Sequence, residues 1–252
     1  MDIRLLIGIT TLILLALPGL LFGADASSSS GTQAARMNLS QFPTVAEQVN
    51  SNAPIARRLY VVPDDSIPAR TPEIEARIRA SSTQMRSSGY IDAETYEVEV
   101  IDLALENLEM FSALGNVTSG LSFVPVSIDG SFLDSAVALG SIAEGGFVND
   151  KRTAVSRIFH LSDLGYIILS ETDFMSQESR AVIRESHVNI SVNGLPATHV
   201  LLKTLDGDVQ SEFTWYSNDR AFHLITDYEI SKGSLEFRDI LEFGRLTAKE
   251  LR

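Results

Sequence analysis

From Ser186 to Tyr228 the chain alternates apolar and polar residues in four runs, broken at Asn193-Gly194, Asp206-Gly207 and Asn218-Asp219. A period of two marks half-buried strands, and such dipeptides suit tight hairpin turns. The segment therefore reads as an antiparallel meander. Paired residues on neighbouring strands point to the same face, so the turns set a register. A two-residue turn at Asp206-Gly207 places Val200 against Phe213 and Thr198 against Trp215. One at Asn218-Asp219 places Phe213 against Leu224 and Trp215 against Phe222. Both hairpins put Val200, Phe213, Trp215, Phe222 and Leu224 on one inner face. At the first turn, a three-residue connection over Asn193 to Leu195 keeps the faces consistent by setting Val188 against Val200. A two-residue turn at Asn193-Gly194 would set Val188 against His199 instead. The other face carries Asn189, Ser191, His199, Lys203, Gln210, Glu212 and Thr214 and is expected to be mostly wet. Leu201 and Ile225 also fall there, and the register leaves them unexplained.

Helical spacing governs the flanks. Thr71-Pro72-Glu73 has the cap, proline and acid of a helix start, and Ile74, Ile78, Ser81 and Met85 follow as one stripe up to Ser87-Ser88-Gly89. A second helix is expected near 93–114, with Ile101, Leu105, Leu108 and Phe111 on one face; the alternation of Thr95 to Val100 makes a strand its competitor there. Thr44 to Asn50 reads as a short helix and Leu59 to Val62 as an edge strand. Leu121 to Ser127, interrupted by Pro125, reads as another edge strand. Residues 132–142 and 176–186 fit helix or strand. Thr153–Leu161 and Tyr166–Glu171 flank a four-residue hairpin connection. The last helix, from Ser234, buries Phe237, Ile240, Leu241, Gly244, Ala248 and Leu251, with Gly244 allowing a close approach. The fold class is α+β: N-terminal helices, a largely antiparallel meander sheet, and a C-terminal helix packed on it. One domain spans 44–252, with a helical part over 44–115 and a sheet part over 116–252.

The start of the chain changes the expected compartment. Leu5 to Leu17 is free of charge and mostly apolar, Pro18-Gly19 weakens the helix, and Ala24-Asp25-Ala26 has the small-x-small form of a signal-peptidase site. Residues 1–26 thus read as a signal peptide or, if 5–24 is retained, as a membrane anchor. The polar stretch 27–43 reads as a tether. A formal net charge of −13 over 252 residues argues against nucleic acid and anionic lipid as partners. Cysteine is absent, which excludes disulfides, thiolate catalysis and Cys-ligated zinc.

Candidate chemistry is sparse, and no cofactor motif is present. His160 with Asp163, at a hairpin mouth, is the candidate acid–base pair, against the simpler reading of Asp163 as a turn cap. Among the histidines, His187 and His199 are the candidate metal ligands, set diagonally at about 7–8 Å; His223 is two strand spacings of about 4.8 Å each from His199, too far to share zinc. Phe213, Trp215 and Phe222 are either core beneath the helix or the wall of an apolar ligand cavity.

Val192-Asn-Gly-Leu-Pro-Ala197, the strands ending in Trp215-Tyr216 and Phe222-His-Leu224, and the terminal helix resemble the exported lipoprotein-carrier-like half-barrel modules over residues 186–251. The resemblance implies a groove for a lipid or lipopeptide; no binding residue of that group maps onto this chain. The expected function is an exported, periplasmic or secreted, non-enzymatic binding or envelope-associated accessory protein with a lipid or protein partner. The alternatives are a hydrolase using His160 and a carboxylate, and a structural partner of an envelope complex.

Overall fold

In the computed structural model the described residues are 21–23, 39–49, 54–66, 72–174, 176, 180–217 and 219–250. The expected signal-peptide segment apart from 21–23, residues 27–38 of the tether, and the helix-face position Leu251 lie outside them. The elements, in chain order, are β1 (Leu21–Gly23), α1 (Val45–Val49), β2 (Leu59–Val62), α2 (Pro72–Ser88), β3 (Ile91–Asp92), α3 (Thr95–Val98), α4 (Val100–Glu106) and α5 (Leu114–Thr118). Then come β4 (Val137–Val148), β5 (Lys151–Leu161), β6 (Gly165–Asp173), β7 (Arg180–Arg184), β8 (Ile190–Val192), β9 (Leu195–Lys203), β10 (Val209–Ser217), β11 (Arg220–Thr226) and α6 (Leu235–Glu250).

The main sheet runs β3-β9-β10-β11-β6-β5-β4, with β8 also paired to β9; only β3 is parallel to its neighbour. A small second sheet, β1-β7-β2, joins β2 to β7 in parallel and β1 to β7 antiparallel. The α+β class and the predominantly antiparallel sheet under a C-terminal helix are as the pattern predicts. No helix among the described residues is long and apolar enough to cross a membrane.

Two predicted elements differ. The segment from Leu121 to Ser127 is not a strand; only Leu121 bridges, to Arg152. It belongs to an irregular strap that crosses one sheet face, anchored by side chains rather than by a ladder. The Val126 amide donates to Glu171 at 3.0 Å, Arg157 donates to the Val126 carbonyl at 2.9 Å, and Arg220 donates to the Val124 carbonyl at 2.7 Å. Arg220 and Arg157 also pair with Glu171, which is fully buried. The helix expected over 93–114 breaks into α3, α4 and a 3-10 turn at Leu108–Met110. Asn107 terminates α4 by donating its side-chain amide to the Leu103 carbonyl at 2.7 Å, a local bond that competes with helix continuation. Of the two undecided stretches, 132–142 enters β4 from Val137 and 176–186 enters β7 from Arg180.

The register is correct for one hairpin and shifted in the other two. β10 and β11 pair Phe213 with Leu224 and Trp215 with Phe222, as expected. Between β9 and β10, however, Phe213 faces His199 and Thr214 faces Thr198. The connection is five residues long, Thr204 to Asp208, because the Thr204 amide donates to the Asp208 carbonyl at 2.9 Å and the Thr204 hydroxyl accepts the Asp208 amide. One residue of slip exchanges the faces of a whole strand. His199 therefore points inward and Val200 outward. The β8–β9 turn is the two-residue Asn193-Gly194 form, with φ of 52° and 76°. Both values are positive, which is the type I′ geometry that an Asn-Gly pair supplies.

Each face of the sheet has its own core. Under α6 and the strap lie Leu133, Phe159, Leu169, Phe213, Trp215, Phe222 and Leu224 with Phe237, Ile240 and Phe243. Phe243 was not on the predicted helix face. On the other face, Val100, Ile101 and Ala104 of α4 cover Ile158, Ile168 and Ile225. This explains Ile225, which the register had left on a wet surface. Further along, Tyr216 and Ala221 pack with Leu59, Ala181 and Ile183 of the small sheet. Both faces are therefore covered, and the expectation of a wet outer face fails at Gln210, Glu212 and Thr214, which are 0%, 2% and 4% exposed.

Candidate functional site

Between the two apolar clusters of the outer face runs a polar row. Strand pairing aligns Ser156 of β5, Ser170 of β6, His223 of β11, Thr214 of β10 and Thr198 of β9 side by side. Alternation would normally expose such residues; here only Ser170 of the five is partly exposed, on a face where α4 covers Ile158, Ile168 and Ile225. Glu212, diagonal to His223, accepts from Gln210 Nε2 at 2.6 Å on one oxygen and lies 3.3 Å from His223 Nε2 on the other. Gln210 Nε2 also donates to the Glu97 carbonyl of α3 at 3.4 Å. At the other end, Ser170 Oγ is 2.6 Å from Ser156 Oγ, which donates to Glu144 of β4. Gln210 Oε1, Thr214 Oγ1, Tyr216 OH and His223 Nδ1 are buried with no hydrogen-bond partner among the described residues. Burial pushes the Tyr216 hydroxyl well above its usual range, so it remains a neutral donor.

A second polar feature is a cleft of about 510 Å³ lined by Pro63, Asp64, Asp65, Arg79, Arg86, Glu185 and Ser186. α2 supplies one wall: Arg79 and Arg86 are seven residues apart, two helical turns, and so share a face. The segment after β2 supplies Asp64 and Asp65, and the 3-10 turn after β7 supplies Glu185 and Ser186. These pieces are tied together. Asp64 accepts the Ser186 amide at 3.0 Å, Arg184 donates to the Asp64 carbonyl, and the hydroxyls of Ser82 and Ser186 lie 3.2 Å apart. Burial raises the Asp64 pKa, but the Ser186 hydrogen bonds and the nearby His187 and Arg184 charges outweigh it, leaving the carboxyl below its usual range. His187, beside the cleft, has its pKa lowered by burial and by Arg184, against the pull of Asp64.

The predicted site residues fall in separate places. His160 is partly exposed and packs against Tyr166, ring centroids 4.9 Å apart, while Asp163 is exposed in the β5–β6 turn. No hydrogen bond or ion pair recorded among the described residues joins them. Nearby, Asp227 accepts the Tyr166 amide at 3.0 Å, and burial raises its pKa against a smaller opposing pull from His160. The register error separates His187 from His199: the first flanks the cleft, and the second lies on the inner face between Phe213 and Phe237. Among the described residues no group of three or more His, Asp or Glu is arranged to hold a metal ion. Phe213, Trp215 and Phe222 are 1%, 2% and 1% exposed. Trp215 stacks on Phe222 at 5.1 Å and meets Phe243 edge-on at 5.9 Å, so these rings fill the space on each other.

Sequence reasoning passed over Glu144, Ser156, Ser170, Glu212 and His223 as a set, and Arg79 and Arg86 altogether. Gln210, Glu212 and Thr214 alternate with apolar neighbours, the signature of an exposed face, and only the covering layer makes them buried. Comparison with family models, with curated proteins and with solved structures returns no match.

Proposed function

We propose that this chain is an exported binding protein whose ligand is a small zwitterion held in the cleft beside α2. The observation that carries the reading is the charge layout of that cleft: Arg79 and Arg86 on one wall, and Asp64, Asp65 and Glu185 on the others, around about 510 Å³. Guanidinium groups take planar anions such as carboxylates through paired hydrogen bonds. Carboxylates opposite them complement an ammonium. The volume falls within the roughly 300–1,000 Å³ of small-ligand sites. Export rests on the apolar run before Ala24-Asp25-Ala26. A polar ligand is favoured over an apolar one because the inner aromatics are packed on each other and against α6.

Calorimetric titration of the purified protein with an unblocked dipeptide, its N-acetyl form and its C-terminal amide tests the reading. The unblocked dipeptide binds; either blocked form, and Arg86→Ala or Asp65→Asn with the unblocked form, weakens binding by about tenfold or more, the order of one lost charge-assisted contact. Equal affinity for all three peptides, or none for any, overturns the assignment. Intact mass of the protein recovered from its host tests export: the expected mass lacks residues 1–26, and a full-length mass in a soluble intracellular fraction contradicts it.

A further inference from the structure

Going beyond that reading, the geometry points to a second site, in which Ser170 is a nucleophile served by His223 and Glu212. Ser170 and His223 are direct cross-strand partners on the same face, so their Cβ atoms are about 4.5–5.5 Å apart. Behind them, Glu212 is 2% exposed and sits 3.3 Å from His223 Nε2. An ionised carboxylate only accepts hydrogen bonds, so the neutral imidazole that faces it carries its one proton on Nε2. That leaves the lone pair on Nδ1, the nitrogen that has no partner among the described residues. A base oriented by a buried acid, beside a hydroxyl, is the arrangement required for an activated serine. Exposure is graded in the right order: Ser170 is partly exposed, His223 is 8% exposed, and Glu212 is deepest.

Ser156 sets the resting state. Its single proton goes to Glu144, so its oxygen accepts the Ser170 proton across 2.6 Å. Rotation of Ser170 about its Cα–Cβ bond moves that proton from Ser156 to His223 Nδ1. With an ester substrate, the Ser170 oxygen attacks the carbonyl carbon as its proton passes to Nδ1. The carbon–oxygen bond to the leaving alcohol breaks, and the alcohol takes that proton from His223. Water then hydrolyses the acyl-serine by the same transfer, releasing the acid and restoring Ser170. The substrate class is an activated ester or thioester, whose leaving group departs with no help beyond the proton that His223 Nδ1 carries to it.

The test uses a fluorophosphonate, which forms an oxygen–phosphorus bond at an activated serine and expels fluoride while the base takes the proton. The full chain is incubated with the probe, followed by intact mass and peptide mapping. One adduct is expected, on Ser170, and absent in Ser170→Ala. His223→Ala should slow labelling by about 100-fold or more, the typical contribution of a general base, and added imidazole should restore part of it. Ser156→Ala should label at least as fast as the parent, because the Ser170 proton is then free for Nδ1. Glu212→Gln should slow labelling without shifting the thermal midpoint, since an amide can donate to Nε2 and move the proton to Nδ1; Glu212→Asp should retain part of the rate. Absence of any adduct, an adduct elsewhere, or loss of labelling in Ser156→Ala but not His223→Ala overturns the proposal. Zwitterion binding in the cleft is scored separately, so either result stands without the other.

Discussion

The imidazole of His199 stacks on the ring of Phe213, with centroids 4.4 Å apart and 21° between the planes. Phe237 of α6 meets the same imidazole edge-on at 5.3 Å. The histidine is thus a rivet between the sheet and the C-terminal helix, 3% exposed. Burial, helped by the positive charge of Lys232, lowers its pKa from 6.5 to about 4. Between those values the unfolded chain binds the proton and the folded chain does not. Unfolding is therefore favoured as pH falls through that window, and the stabilisation is fully present only above the unfolded value. At about 1.36 kcal/mol per unit, roughly 3 kcal/mol is at stake. Urea unfolding midpoints measured from pH 7 to pH 4 should fall for the parent, and the fall should be markedly smaller in His199→Leu. An identical pH profile in the variant would remove His199 as the source.

This histidine also shows where pattern reading stops. The β10–β11 register was legible because a two-residue turn leaves no freedom between Ser217 and Arg220. The β9–β10 register was not, because Thr204 and Asp208 close a wider loop through a backbone and a side-chain bond that no dipeptide signals. A single residue of slip moved His199 from a supposed wet face into the core. The limits of α2 and the start of α6 were readable from a proline, a cap and a stripe, since helix termini depend on local bonds. The polar row from Ser156 to Thr198 was not readable: its burial depends on α3 and α4, far away in sequence. The cleft depends on three segments meeting, and Arg79 and Arg86 taken alone look like any solvated helix face.

Glu171 offers a second prediction. It is fully buried between Arg157 and Arg220 and holds the Val126 amide, so one carboxylate serves both guanidiniums and the strap. Burial raises its pKa, against the pull of Arg220 and then Arg157. Glu171→Ala strands two cations in the interior, a change that costs about 3–5 kcal/mol in comparable buried pairs. Denaturant titration should show a loss of that order, and amide exchange should accelerate at Val126 before it does in β10. A variant within about 0.5 kcal/mol of the parent, the usual range of a surface substitution, would mean that the strap is held by Leu133 and its apolar neighbours instead.

Gly244 gives the sharpest steric test. It lies in the middle of α6, where glycine weakens a helix by about 1 kcal/mol relative to alanine. Propensity alone therefore predicts that Gly244→Ala stabilises the protein. Packing predicts the reverse. A Cβ at that position would lie 2.7 Å from Val192 Cγ1 and 3.4 Å from Trp215 Nε1. Trp215 has little room to retreat, because its ring is stacked on Phe222 and its Nε1 donates to Thr247 Oγ1 of the same helix at 3.3 Å. Val192 precedes the type I′ turn, and Asn193 Nδ2 donates to the Gly244 carbonyl at 3.0 Å, so a displaced helix would also strain the β8–β9 turn. Overpacking of this kind costs about 1–3 kcal/mol, more than the helix gains. The expected outcome is a net loss of stability together with a shift in Trp215 fluorescence, the only tryptophan in the chain. A variant more stable than the parent with unchanged emission would show that α6 does not approach the sheet as closely as these contacts require.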